Sequence, residues 1–380
     1  MTPPGSAPGH HAADRFAAVS RRLSEFPWDT LRDAAARAGE HPDGLVNLSV
    51  GTPVDPVPAI VQRALAAAAD RPGYPTTQGT RRLRDAAVDW MARRLAVTGV
   101  GADDVIPVMG TKELVAWLPT MIGLGPGDTV VVPELAYPTY EVGARLAGAT
   151  TVASDSTLSL GPTPVTLVWL NSPANPTGRV LPIDHLRKVV AWARERGALV
   201  VSDECYIELG WDERPVSVLH PDVSGGSTAG LLAVHSLSKR SNLAGYRAGF
   251  VAGDPALVAA LLAVRKHAGM MMPAPIQDAM AVALGDDDHV TEQRSRYRAR
   301  REVLRAALTR AGLQVQHSEA GLYLWATRGE PGRDTVAWLA RLGILVAPGD
   351  FYGPAGVNHV RVALTATDAD IERAAGRLAG

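Results

Sequence analysis

Short apolar runs recur through the middle of the chain, at Thr129 to Val132, Val165 to Leu170, Leu199 to Ser202, Leu231 to His235 and Gly249 to Ala252. Helical segments such as Pro182 to Arg196 lie between them, and the alternation predicts a mainly parallel sheet covered by helices. Leu114, Trp117, Leu118 and Met121 fall on one face of a further helix that opens at Gly110-Thr111-Lys112-Glu113. After Met272-Pro-Ala-Pro275 a long helix from Gln277 to Leu308 is predicted to carry the chain into a smaller α+β domain. Upstream, Asp14 to Arg37 reads as a helical stretch whose Phe26-Pro27-Trp28 packs on that domain. The expected organisation is an α/β chain with a mobile tail over 1–14, a packing segment over 15–45, a large domain over 46–275 and a small domain over 276–380. No internal repeat is visible.

Lys239 stands in His235-Ser-Leu-Ser-Lys-Arg-Ser-Asn-Leu-Ala-Gly-Tyr-Arg247. A lysine amine held partly out of water beside other cationic character loses its proton readily and can add to an aldehyde. Pyridoxal phosphate is the usual aldehyde, and its phosphate needs hydroxyl and guanidinium donors, which Ser236, Ser238 and Arg247 supply. Taken alone, a Ser-x-Ser-Lys loop is more often a polar turn.

Upstream, the run Leu199-Val-Val-Ser-Asp203 ends an apolar strand in an acid. A carboxylate at that place can hold a proton on a pyridine nitrogen by charge pairing, and Tyr206 three residues on can reach the ring's phenolic oxygen. A strand-to-helix N-cap would use the same aspartate. Asn175, in Asn171-Ser-Pro-Ala-Asn-Pro-Thr-Gly178, follows another apolar strand in a run of turn formers. Asn175, Asp203 and Lys239 occur at the separations that three consecutive strand ends would give.

Together these motifs resemble the fold-type I, class I/II pyridoxal-phosphate aminotransferases, from about Val46 to the C-terminus. The resemblance implies a seven-stranded sheet in the large domain and pyridoxal 5'-phosphate as cofactor. It further implies that Lys239 is the covalent anchor, that Asp203 pairs with the pyridine nitrogen, that Asn175 and Tyr206 bond the phenolic oxygen, and that Ser236, Ser238 and Arg247 hold the phosphate. Gly110, Thr111 and Lys112 match the family's phosphate cup, whose helix amides favour an anion. Tyr137 matches the aromatic that stacks on the ring, and Tyr74 the tyrosine that serves the phosphate of a neighbouring subunit, so a homodimer is implied. Arg361, in His359-Val-Arg-Val-Ala-Leu364, matches the arginine that grips the substrate's α-carboxylate in two-pronged fashion, with Gly51 close to the same group.

Within the family, Phe26-Pro-Trp-Asp-Thr-Leu31, Leu48-Ser-Val-Gly-Thr-Pro-Val-Asp-Pro56, Arg265-Lys-His-Ala-Gly-Met-Met271 and Val346-Ala-Pro-Gly-Asp-Phe-Tyr-Gly353 resemble the actinobacterial N-succinyldiaminopimelate aminotransferases of lysine biosynthesis. That resemblance implies glutamate and 2-oxoglutarate as one substrate pair and N-succinyl-2-amino-6-oxopimelate as the acceptor. The succinyl arm's second carboxylate calls for a cation, for which Arg265 and Lys266 are the candidates; a solvated helix face is the alternative for either. Arg240-Ser-Asn-Leu243 departs from the more aromatic or hydroxylic run usual after the lysine. Another aminotransferase of the fold, such as an aspartate, aromatic or acetylornithine type, or a carbon-sulfur lyase, would keep every cofactor residue.

Composition fits a large enzyme: 380 residues with 46% hydrophobic content can bury a sizeable core. A net charge of -1 points to neither nucleic acid nor membrane surface. The single cysteine, Cys205, forms no internal disulfide and suits a reducing cytoplasm; it reads as a structural thiol. No apolar run reaches membrane-spanning length, and the N-terminus lacks a signal-peptide core. His10-His11 is too little for a metal site, and none is expected. A cofactor-binding regulatory protein would need an appended DNA-binding module, for which a 14-residue tail leaves no room.

Overall fold

The computed structural model describes residue 17 and residues 19–380. The expected mobile tail and the His10-His11 pair lie outside the described residues. Thirteen strands run β1 (Val46–Asn47), β2 (Val105–Met109), β3 (Thr129–Val132), β4 (Thr150–Ala153), β5 (Leu167–Asn171), β6 (Leu199–Asp203), β7 (Leu231–Ser236), β8 (Ala248–Gly253), β9 (Gln314–Gln316), β10 (Tyr323–Thr327), β11 (Ile344–Leu345), β12 (Ala347–Pro348) and β13 (Val360–Ala363).

Seven of them form one sheet in the order β2-β8-β7-β6-β5-β3-β4. β8 alone runs against its neighbours, and the remaining pairings are parallel. Every residue of β5, β7 and β8 is buried, because helices cover both faces of a parallel sheet. The five predicted strands are all present, each within two residues of its expected bounds.

Helix Arg81–Leu95 shows how the sequence fixes the outer layer. Leu83, Ala87, Trp90, Met91 and Leu95 recur on one face and are buried against the sheet. Thr80 caps its start by accepting from the Leu83 amide, which satisfies an otherwise orphaned donor.

A second core gathers β9, β10, β12 and β13 in an antiparallel sheet of order β12-β13-β10-β9, with helices Asp288–Arg310, Gly332–Arg341 and Asp368–Arg377 packed on it. β1 pairs in parallel with β11, so Val46 and Leu48 belong to this core. Two expected helices differ. Asp14 to Arg37 contains, within its described part, two 3-10 turns, Ser20–Arg22 and Pro27–Leu31, and the start of helix Arg32–Gly39. The predicted Gln277–Leu308 helix is two, Ala274–Gly285 and Asp288–Arg310, because Asp286 turns extended at φ -112° and ψ 118°. The first packs on helices Ala59–Ala67 and Arg81–Leu95 and so lies in the core of the large sheet.

Candidate active site

The C-terminal ends of β5, β6 and β7 open into a cavity of about 470 Å³ shared by the two cores. Parallel pairing sets Asn171 opposite Asp203 and Asp203 opposite Val234. The acid and the start of the lysine turn therefore emerge side by side, where an open α/β sheet collects ligands.

Lys239 sits on the single turn Leu237–Arg240 that follows β7, capped by Ser236, whose hydroxyl accepts from the Ser238 amide. Its Nζ donates to the Gly51 carbonyl in a short contact. Among the described residues it forms no ion pair with a carboxylate, while burial, with Arg361 and Arg247 nearby, holds its pKa below the ordinary lysine value. Such an amine gives up its proton more easily than a solvated one.

Asp203 is buried at the end of β6. Its Oδ2 accepts from the Tyr140 hydroxyl at 2.8 Å and its Oδ1 from the Cys205 amide at 3.2 Å. Burial raises its pKa, against the pull of those bonds. Among the described residues no cation pairs with this carboxylate, so it is short of a positive partner, and a protonated ring nitrogen fits that need. Tyr140 stacks on Trp169 with centroids 4.9 Å apart, which fixes the hydroxyl on Asp203. Tyr137, half-buried, meets Tyr140 edge-on at 6.0 Å and lines the cavity.

At the other end, Gly110 with φ +82° leads into helix Thr111–Met121. A Cβ on Gly110 would lie 2.2 Å from Arg247 Nη2, so only glycine lets the guanidinium come in over the helix start. Lys112 faces the same place, and burial with the Arg247 charge lowers its pKa. Two cations, helix amides and the hydroxyls of Ser236 and Ser238 gather there, a set of donors that could hold a phosphate.

Arg361 is buried at 2% exposure, not solvated as strand arginines usually are. It donates to Asn175 Oδ1 at 3.0 Å and to the Ser49 carbonyl at 2.7 Å, leaving Nε without a partner. Tyr206, Gly51 and Asn175 join it around the cavity. Tyr74 stands apart, 94% exposed, and does not line the cavity.

Arg265 and Lys266 are not in the site. Arg265 is fully buried and gripped by Glu113 at 3.0 and 3.3 Å, Lys266 is exposed, and neither lines the cavity. Cys205 lines it, with Sγ 3.3 Å from Thr111 Oγ1, but burial and Asp203 push the thiol well above its ordinary pKa, which keeps it out of the nucleophilic thiolate form. Sequence reasoning missed Tyr140 and Tyr323 as site residues. Tyr140 carried a signal, three residues after Tyr137; Tyr323 carried only a hydroxyl in an apolar run, and pairing of β10 with β13 brings it in.

The family described as aminotransferase class I and II matches residues 43–378. A probable aminotransferase of Mycobacterium tuberculosis is 65% identical over 97% of this chain and 88% of its own length. The 4-dedimethylamino-4-oxo-anhydrotetracycline transaminase of Streptomyces rimosus is 63% identical over 94% of this chain and 99% of its own. Among solved structures, a probable N-succinyldiaminopimelate aminotransferase from Thermus thermophilus superposes with a TM-score of 0.84 at 27% identity, over 93% of this chain and 99% of the other.

Proposed function

Because the chain belongs to the class I and II aminotransferases, a pyridoxal-phosphate-dependent family, we propose that it moves an amino group from glutamate to N-succinyl-2-amino-6-oxopimelate, giving 2-oxoglutarate and N-succinyl-LL-2,6-diaminopimelate. The observation that carries the catalytic half is the buried Lys239 amine, in no ion pair with an acid among the described residues, in one cavity with Asp203 and Arg361.

When bound, the cofactor supplies an electron sink for the charge left as a proton departs the substrate's α-carbon. Lys239 would be its covalent anchor and, with its amine free, the base that carries that proton at Nζ. Asp203 holds a proton on the pyridine nitrogen, with Tyr140 and the Cys205 amide fixing its carboxylate. Tyr206 and Asn175 would hold its phenolic oxygen, and Tyr137 would pack on its ring. Gly110, Thr111, Lys112, Ser236, Ser238 and Arg247 cradle the phosphate. Arg361 takes the α-carboxylate beside Gly51. The exposed Tyr74 is assigned to the phosphate of a second copy, so the working form is a homodimer.

Support for the succinylated acceptor comes from the likeness to the Thermus thermophilus protein. With Arg265 buried on Glu113, and with Lys112 and Arg247 assigned to the phosphate and Arg361 to the α-carboxylate, the distant carboxylate has to be met by polar groups of the cavity wall or by a second copy of the chain. The Streptomyces rimosus relative favours a second reading, amination of a bulky cyclic ketone, against which Phe26, Trp28 and Tyr137 offer aromatic walls. Enzyme charged with glutamate is given the two acceptors in parallel, and the return of the oxidised cofactor spectrum is followed. Faster discharge by the succinylated oxo acid supports the proposal; discharge by the cyclic ketone alone overturns it in favour of the second reading.

A further inference from the structure

Tyr323, at the start of β10, is 4% exposed and lines the cavity. Its ring lies under Arg361, with the guanidinium carbon 3.9 Å from the centroid, closer than Tyr352 at 5.0 Å or Trp28 at 5.9 Å. Its hydroxyl is 3.1 Å from that of Tyr206, with the two rings edge to face at 5.8 Å. Backbone on the far side gives way to it: a Cβ on Gly51 would come within 2.0 Å of the Tyr323 oxygen. Gly51 is thus a glycine because Tyr323 is a tyrosine, and the Gly51 carbonyl next to it receives Lys239 Nζ.

We propose that Tyr323 is a positioning residue with two separable parts, a ring that aims Arg361 at the substrate carboxylate and a hydroxyl that strengthens the Tyr206 hydroxyl as a donor to the cofactor's phenolic oxygen. The Tyr206 oxygen is the only hydrogen-bond partner of the Tyr323 hydroxyl among the described residues. When Tyr206 spends its proton on the cofactor, Tyr323 must therefore donate to Tyr206, and donors in a chain polarise one another. Burial and the Tyr323 neighbour keep Tyr206 protonated, so a donor is what it is. The ring acts separately, since a guanidinium over a desolvated aromatic face is attracted by its quadrupole.

This inference rests on the aminotransferase reading, and the measurement separates the two. Holoenzyme is titrated with pH while its visible chromophore is recorded, and KM and kcat are measured with glutamate. If wild type develops no pH-dependent visible chromophore bound at Lys239, the aminotransferase reading itself fails. With that chromophore present, Tyr323→Phe keeps the ring and loses the hydroxyl. Its chromophore pKa is expected to rise by about 0.5 unit, a change of about threefold in the proton equilibrium, with KM within about twofold of wild type. Tyr323→Leu removes the ring, and KM is expected to rise about tenfold, the loss of a partly desolvated cation–π contact. In a Tyr206→Phe background, Tyr323→Phe is expected to leave the chromophore pKa in place, because the relay is already cut. An unchanged pKa in Tyr323→Phe, or an equal shift in both backgrounds, overturns the hydroxyl's role whether or not Tyr323→Leu folds; an unchanged KM in folded Tyr323→Leu overturns the ring's.

Discussion

Replacing Asp55 by asparagine tests how the loop that carries Gly51 is held over Lys239. Arg300, 3% exposed, grips both Asp55 oxygens at 2.6 and 2.8 Å, and Gln293 donates to Oδ2 at 2.7 Å. Gln293 in turn accepts from Asn242 at 2.9 Å, while Tyr297 on the same helix donates to the Lys239 carbonyl at 3.4 Å. Lys239 is thereby fastened at its backbone through Tyr297 and at its amine through the loop that Asp55 ties down. Asparagine keeps the shape, removes the charge and turns a donor towards the guanidinium. Breaking one side of a buried pair costs about 3–5 kcal/mol. Arg300 keeps Asp368, 76% exposed and screened by water, so the loss expected for Asp55→Asn is about 2–4 kcal/mol. For 380 residues the unfolding entropy is ~0.8 kcal/mol/K, and calorimetry should show a fall in Tm of about 3–5 °C. Burial works to raise the Asp55 pKa, but the Arg300 and Gln293 hydrogen bonds and the Arg300 charge outweigh it and hold the carboxyl below its ordinary 3.8. A depressed native value contributes stability that is present above the unfolded pKa and lost as pH falls through the native one. The gap between wild type and variant should therefore stay constant from about pH 8 to about pH 5 and close only below about pH 4. A gap under about 0.5 kcal/mol at neutral pH, or one that closes on going from about pH 7 to about pH 5, would refute the account.

Lys239→Ala should stay folded by circular dichroism, lose transamination and no longer retain cofactor covalently after borohydride reduction; retained labelling would sink the anchor assignment. Asp203→Asn should keep cofactor bound but lose about 10²-fold or more in turnover, since a neutral amide cannot hold the ring proton, and near-normal turnover would remove Asp203 from the chemistry. Gly110→Ala puts a Cβ 2.2 Å from Arg247 Nη2 at a backbone φ of +82°, so cofactor affinity measured by fluorescence titration should fall about tenfold or more, a cost of 1–3 kcal/mol in rough terms; unchanged affinity would place the phosphate elsewhere.

What could be read along the chain was whatever the sheet arranges locally. An apolar run ending in a polar residue places that residue at a strand end, and parallel pairing puts neighbouring ends together, so Asn175, Asp203 and Lys239 fall around one cavity without any long-range guess. The break between helices Ala274–Gly285 and Asp288–Arg310 also had a local signal, Gly285 followed by three aspartates, the last turn of one helix and the acidic start of the next. Arg265 had no such signal: in the last turn of its helix a cation is favourable by the helix dipole alone, and only the fold brings Glu113, 152 residues earlier, to bury and neutralise it. Tyr323 is the converse case. Its strand is apolar up to Thr327 and reads as core, yet two chain crossings, one bringing β13 with Arg361 beside it and one bringing the Gly51 loop over it, turn a core tyrosine into part of the site. A hydroxyl in such a strand must find a partner when buried, and the partner here is Tyr206, itself beside the reacting centre. A tyrosine where phenylalanine would pack equally well is therefore the trace that such a crossing leaves in a sequence.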